Sequence, residues 1–428
     1  MANNSKDISR SRRRFLETIV AGAVAVGAGI IGYELGKEFI KCPQCPPCTI
    51  TSVQCQCPPC PSSSIPQGYD YVIFTSNGNY YVMNSSGSTI YQSNNPGSAI
   101  NYVISKLSGK GGRILIKNGV YACTSYPCAT ITNSSSSGTP LPIIIDGEDP
   151  TGVIFTVGNG VASSSGQGLL VITGSYIWLR RIGFNGNSQN NTYSVGSQFN
   201  VAVSNAKFVW LDSIYSTNGP GAVGVLNSSH VIVNNAVSEG DSIGAYVGGS
   251  DTVLIGNSSL RRSANYGVGG VSSSTNTVIH GTSIIDAGGG VLISDGDVLI
   301  DGSTIAFPTV SGKYGVSVTI STAGREVIIS DTAITGSVAS AINAVINTSG
   351  RLGIQNSSVM AGSSTTLSVS STLGSGGAEL VIIGANFRDM VTTAGSSPYV
   401  INGVDNVEIV NTAFQFGGAK QPAQTDQA

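Results

Sequence analysis

Charged side chains are scarce in this chain, 10% of 428 residues against about 25% in an ordinary soluble domain, so their clustering carries information. Glu239 and Asp241 follow Val237, Arg261 and Arg262 follow Leu260, and Asp286 follows Ile285. If these intervals are turns of a stacked repeat, Glu239 and Asp286 stand two layers apart, about 9 to 10 Å at ~4.8 Å per layer, with arginine between them. That lies near the upper edge of the roughly 6.5–9.5 Å between the two carboxylates of an inverting glycosidase. A guanidinium there could grip a sugar carboxylate through two hydrogen bonds. The plainer reading is a solvated ladder of alternating charge that contributes little. Asp295, Asp297 and Asp301 form a second group whose hard oxygen ligands could hold calcium, with solvated turn residues as the simpler alternative. A further set (Asp251, Arg325, Glu326, Arg351, Glu379 and Asp405) stands just before the first strand of a repeat. Of the two histidines, His230 and His280, the second occupies an apolar slot in Val278-Ile279-His280 and reads as an interior or edge position. None of these groups requires a cofactor.

The thiols make a separate constellation. Cys42, Cys45, Cys48, Cys55, Cys57 and Cys60 include two Cys-Pro-Pro-Cys units in a Pro-stiffened segment without histidine. The spacing could hold zinc or an iron–sulfur cluster. Outside the cytoplasm, thiols in such a stalk oxidise to disulfides instead, within or between chains. Cys123 and Cys128 read as a local loop disulfide.

The elements that must position the charges follow from composition and repeat. Gly is 56 of 428 residues, and Ser, Thr, Asn and Val are abundant, a mixture that suits short strands and tight turns and disfavours helices. A pattern of apolar, any, apolar, polar corner, apolar recurs. Copies are Ile177/Leu179/Phe184, Val253/Ile255/Leu260, Val298/Ile300/Ile305, Val327/Ile329/Ile334, Leu352/Ile354/Val359, Leu380/Ile382/Phe387 and Val407/Ile409/Phe414. Weaker copies begin near Phe208, Val231 and Val278. Nine steps from Ile177 to Val407 cover 230 residues, about 25 to 26 each. That is too short for a strand–helix–strand unit and for a propeller blade of about 40 to 45 residues. Coils of two or three strands that cannot bury their apolar face alone must stack on one continuous core. The expected fold is all-β, a single-stranded right-handed parallel β-helix over 67–418. A signal or anchor helix (1–41) and a Cys/Pro-rich stalk and linker (42–66) precede it, and a disordered tail (419–428) follows. One short helix, N-capped by Ser98, should carry Ile100, Val103, Ile104 and Leu107 as an apolar stripe that plugs the coil stack.

Residues 98–121, with Gly111-Gly112 before Arg113-Ile114-Leu115-Ile116 and then Gly119-Val120-Tyr121, resemble the opening of the pectate-lyase-like superfamily, and Ile143-Ile144-Ile145-Asp146-Gly147 resembles its next coil. The resemblance spans roughly 69–415 and implies the fold. It also lends the three aspartates the calcium role known in pectate lyases. For activity it implies little, because the superfamily holds lyases, hydrolases, epimerases, phage tailspikes and non-catalytic surface proteins. The Asn-Thr-Asp, Asp-Asp, Gly-His-Gly and Arg-Ile-Lys set of polygalacturonases is missing, as is the Arg-x-Pro-x-x-Arg of pectate lyases.

At the N-terminus, Ser11-Arg12-Arg13-Arg14-Phe15-Leu16 precedes an apolar run from Thr18 to Tyr33, the layout of an export signal. It resembles a twin-arginine translocation signal, with Glu17 as the departure; an ordinary signal anchor with basic flanks is the alternative. The run is shorter than the ~20 residues that span a bilayer comfortably, yet no small-residue cleavage site follows it, which favours retention as an anchor. Beyond residue 41 the chain keeps 14 basic and 19 acidic residues, so it offers no basic patch for nucleic acid. Asn-x-Ser/Thr triplets begin at Asn84, Asn133, Asn190, Asn227, Asn257, Asn347 and Asn356 and are glycosylation candidates where exposed. Together these features point to an exported protein on a cell or virion surface. It would be a membrane-tethered or secreted β-helix that binds extracellular polysaccharide without cutting it, with the stalk able to link copies. The alternative is a polysaccharide lyase or glycoside hydrolase acting through Glu239, Asp286, Arg261 and Arg262. Replacing Arg12 and Arg13 with Lys should abolish export by a route that reads the guanidinium pair. Unchanged surface appearance of that double variant would point to the general secretory route.

Overall fold

The structure, a computed structural model, describes residue 66 and residues 68–422, apart from 136–137, 162–166, 308–312, 337–339, 362–365, 373–375, 390–398 and 417–418. The export segment with Arg12 and Arg13, and the stalk from Cys42 to Cys60, lie outside the described residues. No described helix is long and apolar enough to cross a membrane.

The 35 strands join one hydrogen-bonded system and, from residue 112 to 416, pair in parallel with the strands of the coils before and after. The chain is a right-handed parallel β-helix with three sheets. In the first sheet Ile177 registers with Val209, Val231, Val253, Thr277 and Val298 in successive coils. These residues and their i+2 partners point inward, as strand alternation requires. The weak copies therefore begin at Val209 and Thr277, one residue away from the expected Phe208 and Val278. A slip of one residue exchanges the two faces of a strand: Val278 points outward, Thr277 and Ile279 point into the core, and His280 leaves the apolar slot expected for it. Inside, Tyr121, Phe155 and Phe184 stack along the second sheet with centroids 4.9 and 6.0 Å apart. Each fully buried side chain of this size contributes about 1.5–3 kcal/mol.

Two kinds of corner hold the coils in register. Between first and second sheets the connection is two residues long in coil after coil, as in Asn235-Ala236, Asn257-Ser258 and Asn356-Ser357. Its first residue is left-handed (φ 52°, 48° and 47° in these three), which explains the Asn and Gly found there. The second residue points inward, and where it is Ser or Thr its hydroxyl closes a ladder along the helix axis. Ser258 Oγ accepts the Ala236 N–H at 3.2 Å and donates to Gly256 O at 2.8 Å. Thr332 Oγ1 and Ser357 Oγ repeat the arrangement. A second ladder, Ser228, Ser250 and Ser274, runs where the third sheet returns to the first.

Helix α1 (Pro96–Leu107) closes the N-terminal end with Ile100, Val103, Ile104 and Leu107 buried. It starts three residues earlier than a Ser98 cap would place it. Asn95, not Ser98, is the cap, its side chain accepting the Gly97 and Ser98 N–H groups, and Pro96 suits the first helical turn. The anticipated tail from 419 begins instead with a strand, Ala419–Pro422, antiparallel to Ala413–Phe416. Cys123 and Cys128 are joined by a disulfide.

Asp241 sits wholly buried at the corner after the second sheet. Its carboxylate accepts the Gly219 N–H at 2.6 Å and the Ser238 hydroxyl at 2.7 Å. Burial outweighs these donors and pushes its pKa up to about 6. The folded state therefore keeps a proton that the unfolded chain loses, and stability falls as pH rises from about 4 through about 6. Asp241→Asn, which mimics the protonated acid, should flatten this part of the curve of melting temperature against pH. A second expectation concerns the ladder. Ser258→Ala strands the Ala236 N–H and should cost about 1–3 kcal/mol in denaturant unfolding, while the exposed Ser273→Ala should cost less than about 0.5 kcal/mol.

Candidate functional site

Glu239, Arg261, Arg262 and Asp286 come to one edge of three successive coils, the corner between second and third sheets. Glu239 registers with Arg261 and then with Ile285. Asp286 falls one residue later, level with Gly240 and Arg262 through the bonds Gly240 N–H to Arg261 O and Arg262 N–H to Ile285 O. Arg262 forms an ion pair with Glu239, and Arg261 Nε donates to Ser259 Oγ at 2.9 Å. Only residues 240–242 separate the strands Val237–Glu239 and Ile243–Gly248. The corner is tight and its arginines and Asp286 are exposed. The charge contact seen at this corner among the described residues is the Glu239–Arg262 rung.

The three aspartates offered as a calcium site do not fit one ion, because each serves a different partner. Asp295 accepts the Ser321 and Thr322 N–H groups and the Thr322 hydroxyl. Asp297 pairs with Arg325 at 2.6 Å, and Asp301 meets His280 Nδ1 at 3.1 Å. No group of three His, Cys, Asp or Glu able to hold a metal occurs among the described residues. Of the glycosylation candidates, Asn133 is buried and spends its side chain on Leu141 O, Ser175 O and the Gly109 N–H. Asn190, Asn227, Asn257, Asn347 and Asn356 are exposed. Asn257 also donates to Asn234 Oδ1 of the preceding coil at 3.0 Å.

A stronger constellation lies on the outer face of the first sheet. Both tryptophans of the chain occupy the same outward slot in consecutive coils, Trp178 registering with Trp210, with ring centroids 6.3 Å apart and edge to face. Beside them Tyr176, Phe208 and His230, all with positive φ, stack at 4.8 and 4.7 Å. Trp178 is buried beneath this group, while Trp210, Tyr176, Phe208 and His230 remain partly exposed. Two residues along the strand lies Asp146, fully buried. Arg180 grips it through two bonds of 2.7 and 3.0 Å, Arg113 approaches at 3.2 Å and Arg181 at 3.9 Å. Burial would lower the Arg180 pKa, but the hydrogen bonds and charge of Asp146 hold it above its ordinary value. Burial followed by the charge of Asp146 raises the Tyr69 phenol, whose hydroxyl donates to the same carboxylate at 3.3 Å.

Three guanidinium groups thus share one carboxylate at the edge of an aromatic platform, an arrangement that can stack sugar rings and attract negative charge. Three buried nitrogens in this patch, Arg113 Nε, Trp210 Nε1 and His230 Nδ1, have no hydrogen-bond partner among the described residues. Most buried polar atoms are paired in folded proteins; others without a partner, such as Asn200 Oδ1 and Ser263 Oγ, are scattered, while these three share one outer face. The sequence does carry a signal for this patch: Ile177-Trp178-Leu179-Arg180 and Val209-Trp210-Leu211-Asp212 are the same repeat segment, with the outward slots occupied by Trp and a charge.

Farther along the same face, His280 registers with Asp301 on the next coil. The ring is 48% exposed and the carboxylate 4%. With Nδ1 held by Asp301, Nε2 is the ring nitrogen left to meet solvent or ligand.

No family model matches the chain, and no curated protein matches it in sequence. Among solved structures it is similar to the A-module of a mannuronan C-5 epimerase from Azotobacter vinelandii, at 14% identity over 77% of this chain and 94% of that one, with a TM-score of 0.46. An alginate lyase from Paenibacillus gives 13% identity, coverage of 72% and 96%, and a TM-score of 0.42. An endo-xylogalacturonan hydrolase from Aspergillus tubingensis gives 12% identity, coverage of 80% and 95%, and a TM-score of 0.40. At such scores no residue role passes from those proteins to this one, and the fold rests on the strand register described above.

Proposed function

We propose that the chain is an exported surface β-helix that binds extracellular polysaccharide on the outer face of its first sheet and does not cut it. The observation that carries the reading is the gathering of the half-exposed aromatic faces around Trp210 with partnerless buried nitrogens and three arginines on one carboxylate. Sugar rings offer what that face lacks, apolar C–H faces for the aromatics and hydroxyl or carboxylate oxygens for the nitrogens. Arg181, 45% exposed and 3.9 Å from Asp146, is the cation of the patch left to meet an acidic glycan. Against hydrolysis through the corner residues, Glu239 is paired with Arg262 and Asp286 is exposed to solvent.

A second reading, a polysaccharide-cleaving enzyme, draws its support from the His280–Asp301 pair. A buried carboxylate that fixes an imidazole with one nitrogen outward is the form of an oriented general base. It lies four coils from Trp178, on the order of 20 Å along the face, a span that a bound oligosaccharide could cover.

One panel of acidic and neutral polysaccharides, scored for both binding and product release by the purified full-length chain, tests both readings. Trp210→Ala should weaken glycan binding about tenfold, the loss of roughly 1–1.5 kcal/mol of aromatic contact. Arg181→Ala should weaken binding of acidic glycans and flatten its salt dependence. Glu239→Gln and Asp286→Asn should change neither. Binding that ignores Trp210→Ala would sink the proposal, and product release that disappears in His280→Ala would replace it with the enzymatic reading.

A further inference from the structure

The aromatic platform ends on a histidine. Tyr176, Phe208 and His230 stand level in successive coils, each just ahead of a core residue of the first sheet. All three are left-handed, with φ of 58°, 56° and 56°. A left-handed backbone is costly for a residue with a side chain, and strain of this kind gathers at functional sites. The corner itself does not call for a ring, because the next two coils fill the same left-handed position with Thr252 and Asn276. The outcome is a stack at 4.8 and 4.7 Å whose last member is an imidazole, the side-chain type that changes charge between about pH 5 and 8.

Among the described residues no carboxylate or carbonyl fixes this imidazole. His230 Nδ1 is buried without a partner, whereas His280 Nδ1 meets Asp301 at 3.1 Å. The charged groups on the strands beside His230 are Lys207 and Asp212 on one side and Asp251 on the other. Lys207 is exposed. Asp212 accepts the Asn234 and Asn235 amides at 3.1 and 3.0 Å. Asp251 accepts the Thr275 hydroxyl at 2.6 Å and the Asn276 amide at 3.0 Å. Burial would raise the Asp251 pKa, but those bonds, one from Thr252 and the charge of His230 hold it below its ordinary value. Asp251 therefore stays ionised through the range in which an imidazole titrates, and beside a neutral ring it opposes further negative charge.

We infer that His230 makes the hold of this face on acidic glycans conditional on pH. A glycan carboxylate beside the ring is bound together with a proton, taken from solvent onto the imidazole, and no bond of the glycan breaks. Coupling is reciprocal: a carboxylate that draws the proton onto His230 is itself held more tightly where protons are abundant. The imidazolium also offsets Asp251, which works in the same direction. Arg181, at the opposite end of the first-sheet strand, keeps its charge at every pH and sets the part of the preference that does not vary. The inference rests on the glycan-binding reading of this face and adds to it the condition under which acidic glycans are released.

The test is the affinity of the purified full-length chain for polygalacturonate and alginate, each beside its carboxyl-reduced neutral derivative, at about pH 8 and about pH 5.5. Binding of the acidic polymers should tighten about three- to fivefold across that interval. Binding of the neutral derivatives should not change, which also controls for the response of Asp241 in the same range. His230→Gln should hold the acidic polymers at both pH values as the wild type does at the higher one, and His230→Arg as the wild type does at the lower one. Calorimetry of the unsubstituted chain at about pH 7, in two buffers of different ionisation enthalpy, needs no variant. It should register proton uptake with the acidic polymers and none with the neutral ones. Acidic binding that Trp210→Ala weakens but pH leaves alone would overturn the inference and leave the glycan-binding reading standing. Binding indifferent to Trp210→Ala would remove that reading and the inference with it. A pH response that persists in His230→Gln assigns the proton to another group and also overturns the inference, as does failure of both acidic polymers to bind at the lower pH.

Discussion

A tight corner stacked on another tight corner leaves backbone N–H groups facing along the solenoid axis, inside the core, where no strand can reach them. Leaving one unpaired costs about 1–3 kcal/mol, and a β-helix repeats the problem in every coil. This chain answers it with a hydroxyl. Ser228, Ser250 and Ser274 at one corner, and Ser258, Ser303, Thr332 and Ser357 at another, each accept from the coil before and donate to a carbonyl of their own coil. The left-handed residue ahead of the hydroxyl at the first corner turns the chain sharply enough to place it. The abundance of Ser, Thr, Asn and Gly, and the room left for so few charges, follow from that local requirement more than from any property of the surface.

The same requirement explains what could be read from the sequence. The apolar pairs Leu352/Ile354, Leu380/Ile382 and their relatives are two-residue alternations followed by a fixed corner, so the coil was visible wherever the inward slots were filled by aliphatics. Where Thr277 takes an inward slot and Val278 points outward, apolar character misleads by one residue, and of the interior and edge positions open to His280 it takes the edge. Ser98 and Asn95 are both good caps, and only the preference of Pro96 for the first turn separates them. The tail from 419 lacks apolar alternation, yet Ala419–Pro422 pairs with Ala413–Phe416, which composition does not report.

The candidate site was less legible because attention to charge led to the corner, while the face that gathers unusual chemistry is built on outward slots of the first sheet. There, Trp178 and Trp210 stand 32 positions apart in the chain and adjacent in space only because their coils register. Likewise Asp146, Arg113 and Arg180 belong to three coils, and no local motif contains them. Conversely Glu239, Arg261 and Asp286 looked equivalent by interval, but Asp286 follows the strand end that Arg261 still belongs to. The corner alternates in sign, and its arginines and Asp286 are exposed.

The corners also differ in what they would let the lineage of this chain change. Between first and second sheets, two residues turn the chain in every coil from Ser229 to Phe416, because any insertion would move the left-handed residue off the hydroxyl ladder. Between second and third sheets the connection grows from residues 240–242 in one coil to 390–398 in the last, with no ladder to disturb. Variation in coil length is thereby channelled to the other two corners, for the return from third to first sheet also lengthens, from residues 227–228 to 372–378. New loops, epitopes or grafted peptides have a permissive site there, and the opposite corner acts as the invariant spine against which they can be exchanged.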